Sequence, residues 1–351
     1  MNLDQPRTRE QLSLALGACG ALIGVICSLV FLPERTPLVG DGSLRHIGSI
    51  VASAVTGVAF LVTMILNDNP GLPRRRRIAW FRRALDIVGL TTVHAGLAFL
   101  LGRGVFWTFS GAFVGLLLDR GSTAFVMALT CAVAGYAAAG SAARLSTESL
   151  AKLMGVFMVA GAMASALSSS DPAWWHEHFS ALGTVWDLSG FWFNFTLIVS
   201  GLVLITLADF LTHDLRLWSQ IIGRKPWRVR AIWFGFVLLG LAVGLVGSIP
   251  VNVNLTWHTR AAYGAAYVFA ALVLAVPVLV GNMPKSFVAV SIVVVTIIIV
   301  GGKLRSSAYI TTTGFEMIAV GMVFLWLLLL VRTVAATLQE LTFKTGAEPA
   351  G

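Results

Sequence analysis

Imidazole, carboxylate and amide side chains are concentrated in three polar segments of the second half of the chain. The longest reads SSSDPAWWHEHFSALGTVWDLSGFWFN from Ser168 to Asn194, and the others surround His258 and Glu316. Such groups could bind a metal ion, because neutral imidazoles and carboxylates are the usual ligands of zinc and related ions. They could also perform general acid–base chemistry on a lipid or glycan head group. A structural alternative is an interfacial belt of tryptophans, with histidines and acids capping helix ends.

The candidate ligand-binding residues lie in the loops between apolar runs or at the ends of those runs. They are Asp171, Trp175, His176, His178, Asp187, Asn194, His258 and Glu316. Polar groups at a membrane boundary lose hydration unless partners or water replace it, so groups at equal depth tend to cluster. We therefore expect one extracytoplasmic site formed by Asp171, His176, Asn194, His258 and Glu316. The sequence assigns no catalytic residue and leaves the metal content open.

One polar residue, His94, lies inside an apolar run, in GLTTVHAGLAF. A histidine at this depth must face the other helices rather than lipid. It could relay protons or contact a substrate, but we expect a helix-to-helix hydrogen bond with a serine or threonine. The chain has no Walker motif, GxSxG elbow, HExxH or dinucleotide fingerprint in a credible context, and we expect no cofactor.

The composition indicates a membrane protein. Of the 351 residues 57% are hydrophobic and only 12% are charged, and the mean hydropathy is +0.85. A soluble domain has roughly one-quarter charged residues, so a water-soluble fold is excluded. The net charge of +9 comes from short basic clusters between apolar runs, which are typical of topology signals. We therefore expect membrane lipids as partners, and no nucleic acid.

Ten apolar runs are long enough to cross a membrane. A spanning helix needs roughly 20 residues, because the hydrocarbon core is about 30 Å thick. The runs are Leu14 to Leu32, His46 to Leu66, Leu85 to Leu101, Ser122 to Gly140, Leu150 to Leu167, Gly190 to Leu211, Ala231 to Ile249, Ala261 to Gly281, Ser286 to Gly302 and Gly314 to Val334. They predict an all-α, polytopic transmembrane helix bundle.

An eleventh apolar stretch, Val105 to Leu118, is shorter than a span and suits an interfacial or re-entrant segment. The basic residues support this interpretation, because cytoplasmic loops collect Lys and Arg. With ten spans and the N-terminus inside, 18 of the 25 Lys and Arg residues lie on the cytoplasmic side. An extra span would move Arg216 to Arg230 outside. We therefore expect both termini in the cytoplasm.

The chain divides in sequence into three parts. Residues 1–150 form a four-helix membrane region that includes the short segment near residues 105–118. Residues 151–336 form a six-helix membrane domain, and residues 337–351 form a cytoplasmic tail. Small residues at helical spacing predict close helix packing, as in Gly20-xxx-Gly24, Gly135-xxx-Ala139 and Gly240-xxx-Gly244.

Several short motifs follow one another between about Gly161 and Val334. They are a serine-leucine-glycine turn, Phe-Asn before a helix, Gly-x-x-Pro followed by histidine, and a late glutamate. The residues are Ser180, Leu182, Gly183, Phe193, Asn194, Gly247, Pro250, His258 and Glu316. In this order they resemble the bacterial membrane family called domain of unknown function 998. The pattern is more distantly similar to Frag/DRAM/Sfk-type eukaryotic membrane proteins, which are associated with lipid handling.

This resemblance implies a bacterial inner membrane and supports the location of a site, but it supplies no reaction. Two functions follow as expectations from the polar segments beside tryptophan. One is binding or handling of a lipid or small amphiphile at an outward-facing polar pocket. The alternative is an extracytoplasmic lipid-modifying enzyme that uses histidine and carboxylate or metal chemistry.

Overall fold

The structure, a computed structural model, describes residues 5–67 and 77–345, and almost all of this part is helical. The α-helices are α1 (Pro6–Phe31), α2 (Ser49–Leu66), α3 (Arg77–Ala112), α4 (Arg120–Ala143), α5 (Thr147–Ser168), α6 (Leu188–Ile221), α7 (Pro226–Ser248), α8 (Leu255–Val280), α9 (Lys285–Ser306) and α10 (Thr312–Thr345). In the described residues, ten helical spans are long and apolar enough to cross a membrane. The predicted all-α polytopic bundle is confirmed.

The chain folds as two compact units, Met1–Leu145 and Ser146–Gly351. The first unit contains α1 to α4 and the second contains α5 to α10. The sequence analysis placed the change from four helices to six after residue 150, which is inside the first turn of α5. The boundary instead falls at the turn before α5, where Ser146 caps the helix by accepting a hydrogen bond from the Ser149 amide.

In the first unit, α1 packs against α4 through glycines. A methyl group added at Gly24 would lie 2.5 Å from the Met127 carbonyl oxygen, and one at Gly135 would lie 2.8 Å from the Leu16 carbonyl oxygen. Gly20 meets the Cys131 carbonyl in the same way. The two helix backbones therefore approach as the small-residue spacing predicts, and any side chain here would force the helices apart.

His94 joins α3 to α4. Its Nδ1 lies 2.8 Å from the Leu90 carbonyl oxygen and must donate, so Nε2 accepts from the Ser141 hydroxyl at 2.9 Å. The ring also stacks on Phe60, with the ring centroids 4.0 Å apart. The helix-to-helix hydrogen bond expected from the sequence is present, and it occupies both ring nitrogens.

The sequence analysis was wrong about a separate segment at Val105 to Leu118. The first eight of these residues continue α3, which is 36 residues long. Gly102 and Gly104 suggested a break, but the absent side chain at Gly102 lets α3 pass close to Ser49 of α2. After α3, a two-residue strand β2 (Leu117–Leu118) pairs antiparallel with β1 (Thr36–Pro37). The count of ten spans is unchanged.

The predicted tail also differs from the structure. Residues 337–345 are the last turns of α10, which ends at Thr345. The sequence here, ATLQELTFKT, has good helix formers and neither glycine nor proline, so the helix continues past its apolar part. Residues 346–351 lie outside the described residues.

In the second unit, α6 is the most buried helix and packs against α5 and α7. Gly201 of α6 faces Gly240 of α7, and a methyl group on either would lie 2.5 or 2.6 Å from the other's carbonyl oxygen. On the other side of the unit, the Trp326 indole of α10 donates to the Ser291 hydroxyl of α9 at 3.0 Å. The helices are thus held by backbone contact in one place and by a buried polar bond in another.

We expect Gly201→Ala to destabilise the protein by about 1–3 kcal/mol, because the added methyl group must push α6 and α7 apart. Gly264→Ala in α8 is the matched control, since nothing lies within 4 Å of a methyl group there. Both changes raise helix propensity equally. Unfolding in mixed detergent with increasing dodecyl sulfate should separate the two variants, and equal midpoints would contradict the close packing.

Candidate functional site

The loop between α5 and α6, residues 169–187, folds over the start of α10. It contains two 3₁₀ turns, Trp174–His176 and Phe179–Gly183. The Thr313 hydroxyl at the start of α10 donates to the Trp175 carbonyl oxygen at 2.9 Å. We call the end of the second unit where α6, α8 and α10 begin the loop end, because this loop covers it.

Glu316 of α10 is the centre of a polar cluster at the loop end. Its carboxylate accepts a hydrogen bond from the Phe179 amide at 2.5 Å, and the Ser180 amide also faces it. His178 and His258 are close enough to interact with the carboxylate electrostatically. The half-buried Glu316 side chain is therefore surrounded by two amide donors and two imidazoles.

The two histidines are held by different means. His258 is only 6% exposed, and its Nδ1 donates to the Ile249 carbonyl oxygen at 2.8 Å. In the neutral ring this bond leaves the lone pair on Nε2. The half-buried His178 has its Nδ1 3.2 Å from the Ser180 hydroxyl. The His258 ring thus has one nitrogen available to a ligand.

Two amide side chains fasten the same loop from other sides. Asn194 of α6 donates through Nδ2 to the Gly183 carbonyl oxygen at 3.0 Å. Asn252, between α7 and α8, donates to the Thr184 carbonyl oxygen at 2.7 Å. These bonds satisfy backbone carbonyls that an irregular loop cannot pair by itself.

Other predicted site residues stabilise the outer part of the loop. Asp171 accepts from the Ala173 amide at 2.8 Å, which closes a local turn. Asp187 is the N-cap of α6, accepts from the Ser189 and Gly190 amides, and also accepts from the Ser170 hydroxyl at 2.9 Å. Partial burial raises the pKa of the Asp187 carboxyl, but the bonds from Gly190, Ser170 and Ser189 outweigh it and hold that pKa below its ordinary value of 3.8.

The structure brings His178, His258 and Glu316 together, with Asn194 one turn of the loop away. It does not bring Asp171 or His176 to Glu316. His176 is exposed and lies edge-on to the exposed Trp175, with the ring centroids 3.8 Å apart. The loop turns between residues 176 and 178, so the two histidines reach different surroundings. A single ligand site for the eight candidates stays a prediction.

The sequence analysis missed Thr313 and Asn252 as site residues. Both lie in polar segments at helix ends, where a threonine or asparagine is common for local reasons. Their partners are 138 and 68 residues away in the chain, and no local spacing indicates such pairs.

Within residues 5–67 and 77–345, no group of three or more His, Cys, Asp and Glu side chains could hold a metal ion. The polar cluster lies at the ends of apolar helices that can each cross a membrane. The fold and the cluster define the class: the chain is a multi-pass, all-α membrane protein. Comparisons with models of known families, with curated proteins and with solved structures give no match.

Asp187→Ala should lower the free energy of unfolding by about 1 kcal/mol at neutral pH, because α6 loses its N-cap. The folded-state pKa of Asp187 is lowered, so the carboxylate's contribution is complete above its ordinary pKa and is lost as pH falls through the folded-state pKa. The difference between wild type and Asp187→Ala should therefore shrink below about pH 4.

The matched variant is Asp187→Asn, which keeps a capping oxygen but cannot titrate. Its unfolding free energy, measured in detergent at several pH values, should depend less on pH than that of the wild type below pH about 4. If the wild type and the asparagine variant lost stability in parallel, Asp187 would not be the titrating group.

Proposed function

We propose that this protein binds a lipid or small amphiphile at the loop end of the second unit. The observation that carries the proposal is the meeting of Glu316, His178 and His258 beneath an aromatic-rich loop. Charged groups at a membrane boundary are costly unless they are paired, and where they gather they commonly mark a ligand or ion site. A head group with hydroxyl or ammonium donors suits a carboxylate flanked by neutral imidazoles.

Aromatic side chains surround this cluster and suit the interface between head groups and acyl chains. Phe179 packs edge-on against Phe193, with the ring centroids 5.4 Å apart, and Trp174 lies 6.0 Å from Phe179. Trp186 at the far end of the loop is 95% exposed. Amphipathic aromatic rings favour the interfacial layer of a bilayer, so the loop is suited to lie at that depth.

An apolar groove at the same end supports an amphiphile over a purely polar ligand. The groove lies between α9 and α10 and has about 540 Å³ of space. It is lined by Thr296, Ile297, Val300, Gly301, Leu304, Ile310 and Ile318. Ile318 is two residues from Glu316, so the groove and the polar cluster lie on nearly opposite faces of α10. An amphiphile that used both would pass around the start of α10, near Ile310.

The test is native mass spectrometry of the detergent-purified protein, which detects co-purified lipid and identifies it by mass. We expect Glu316→Gln and His258→Gln each to reduce lipid occupancy severalfold, since each removes one polar contact worth about 1 kcal/mol. Glu177→Gln is the matched control: it removes the same charge from an exposed position in the same loop.

Hydrogen–deuterium exchange of residues 174–184 separates loss of ligand from loosening of the loop. Glu316→Gln keeps one carbonyl oxygen for the Phe179 amide, so the loop should exchange nearly as slowly as in the wild type. If occupancy fell only in variants whose loop exchanged quickly, Glu316 would be a structural anchor and the binding proposal would fail. Unchanged lipid occupancy in both variants would have the same consequence.

The alternative proposal is a lipid-modifying enzyme, and the geometry of His258 favours it. Nδ1 of His258 is held by Ile249, and a carboxylate lies nearby, which is an arrangement that can position a general base. Incubation of the purified protein with membrane lipid extracts distinguishes the two functions. A new lipid mass that is absent with His258→Gln would support catalysis, whereas bound but unaltered lipid would support binding alone.

We also propose that the loop end faces outward from a bacterial inner membrane with both termini inside. The support is the excess of Lys and Arg on the opposite side and the family resemblance described above. In a variant without the three native cysteines, Asp171→Cys should react with a membrane-impermeant thiol reagent in intact cells. Lys225→Cys, which is also exposed in the fold, should react only after the cells are broken. Reaction of Lys225→Cys from outside would reverse the orientation.

A further inference from the structure

A cleft lined by arginine lies at the opposite end of the second unit, where α6 and α8 end and α7 begins. We call it the basic cleft. It is lined by Leu215, Trp218, Ser219, Arg224, Arg228, Val229, Ile232, Leu279 and Val280, and encloses about 220 Å³ of space, part of it open to the surroundings. Its lining includes two cations and no acidic residue. The cleft is too small for a whole lipid, but it offers donors to one compact anionic group.

Two buried N–H groups in the basic cleft have no acceptor among the described residues. One is the indole Nε1 of Trp218, a side chain that is 0% exposed. The other is Nε of Arg228, whose Nη1 makes only a long hydrogen bond of 3.5 Å to the Val278 carbonyl oxygen. Buried polar groups are nearly always hydrogen-bonded, so two orphaned donors in one cleft point to an acceptor from outside the chain.

Local structure holds Arg224 at the same cleft. The Arg224 amide donates to the Ser219 carbonyl oxygen at 2.9 Å, and the Ser219 hydroxyl donates to the Arg224 carbonyl oxygen at 3.0 Å. The guanidinium group lies flat on Gly281, which ends α8 with a φ of +69°. Any larger residue at position 281 would meet the guanidinium carbon. Arg224 is therefore placed by the turn on one side and by a glycine on the other.

We propose that the basic cleft binds the phosphate group of an anionic phospholipid. Guanidinium groups bind phosphate with fixed, often bidentate geometry, and the Trp218 indole adds a neutral donor from beneath. The apolar lining from Leu279, Val280 and Ile232 continues toward the membrane, where the acyl chains would lie. Basic pockets between transmembrane helices on the cytoplasmic side commonly take anionic head groups, and the sequence predicts this side for the cleft.

A purely structural role for the arginines explains less. Arg228 does contact the last carbonyls of α8, as a C-terminal cap would. That contact leaves Nε of Arg228 and Nε1 of Trp218 unpaired, and it gives no reason for a second cation and an indole N–H to face the same space. Water could pair the two donors, but it would not offset two half-buried positive charges, whereas a phosphodiester does both.

The experiment titrates the full chain, stripped of lipid in neutral detergent, with phosphatidylglycerol or with phosphatidylcholine. Native mass spectrometry gives the dissociation constant of the first bound lipid. We expect phosphatidylglycerol to bind more tightly, and the double variant Arg224→Gln/Arg228→Gln to weaken it by about tenfold or more. Trp218→Phe, which deletes only the N–H and some ring volume, should weaken it severalfold.

Arg230→Gln is the matched control, because Arg230 is exposed on the same helix outside the cleft and loses the same charge. It should change phosphatidylglycerol binding by less than about twofold. An equal loss with Arg230→Gln and with the double variant would assign the binding to diffuse surface charge and overturn the proposal. Equal affinity of the wild type for both lipids would also overturn it.

Inorganic phosphate at matched ionic strength distinguishes a lipid site from a site for the free anion. Stabilisation of the wild type by phosphate alone, with no preference between the two lipids, would reject the lipid. If the double variant fails to fold, Arg228→Lys and Trp218→Phe decide the matter. Arg228→Lys keeps the charge but loses the fork of donors, so weaker binding in both variants supports a shaped phosphate site, and unchanged binding in both rejects it.

Discussion

Backbone amide and carbonyl groups cannot remain unpaired in hydrocarbon, and the rest of this structure depends on that constraint. Helices pair these groups internally, so the apolar part of the chain is helical. Irregular backbone is then confined to helix ends, where side chains or water must pair it. The α5–α6 loop shows the consequence: Glu316, Asn194, Asn252 and Thr313 each bond a backbone group of the loop. The polar cluster at the loop end is therefore built on bonds that the fold already requires.

Glycine provides the second condition, which is close approach of helices without a hydrophobic driving force. In lipid, helix association relies on van der Waals contact, so small residues at the interface matter more than in water. Gly20 and Gly24 allow this between α1 and α4, and Gly201 and Gly240 allow it between α6 and α7. With α6 and α7 in contact over their length, the ends of α6, α7 and α8 come together and the basic cleft can form between them.

The two ends of the second unit differ in charge in a way that fits two kinds of head group. The loop end holds a carboxylate beside imidazoles, whereas the basic cleft holds guanidinium groups and no acid. A carboxylate favours donors such as hydroxyl or ammonium groups, and guanidinium favours phosphate. A membrane protein that meets different lipid chemistry at its two faces would need such a division. The proposed orientation assigns the acidic end to the outer face and the basic end to the cytoplasmic face.

Hydropathy and spacing by themselves determined the ten spans, the membrane class, the glycine packing faces and the pairing of His94 with a serine. These features depend on residue type along one helix, because burial in lipid and helical periodicity act locally. Tertiary structure alone decided that α3 continues through Gly102 and Gly104, since its packing against α2 outweighs the low helix propensity of glycine. It also decided that His178 rather than His176 reaches Glu316, and that Trp218 joins Arg224 and Arg228. Those arrangements depend on how an irregular turn directs side chains toward partners as far as 137 residues away, and no local pattern encodes that direction.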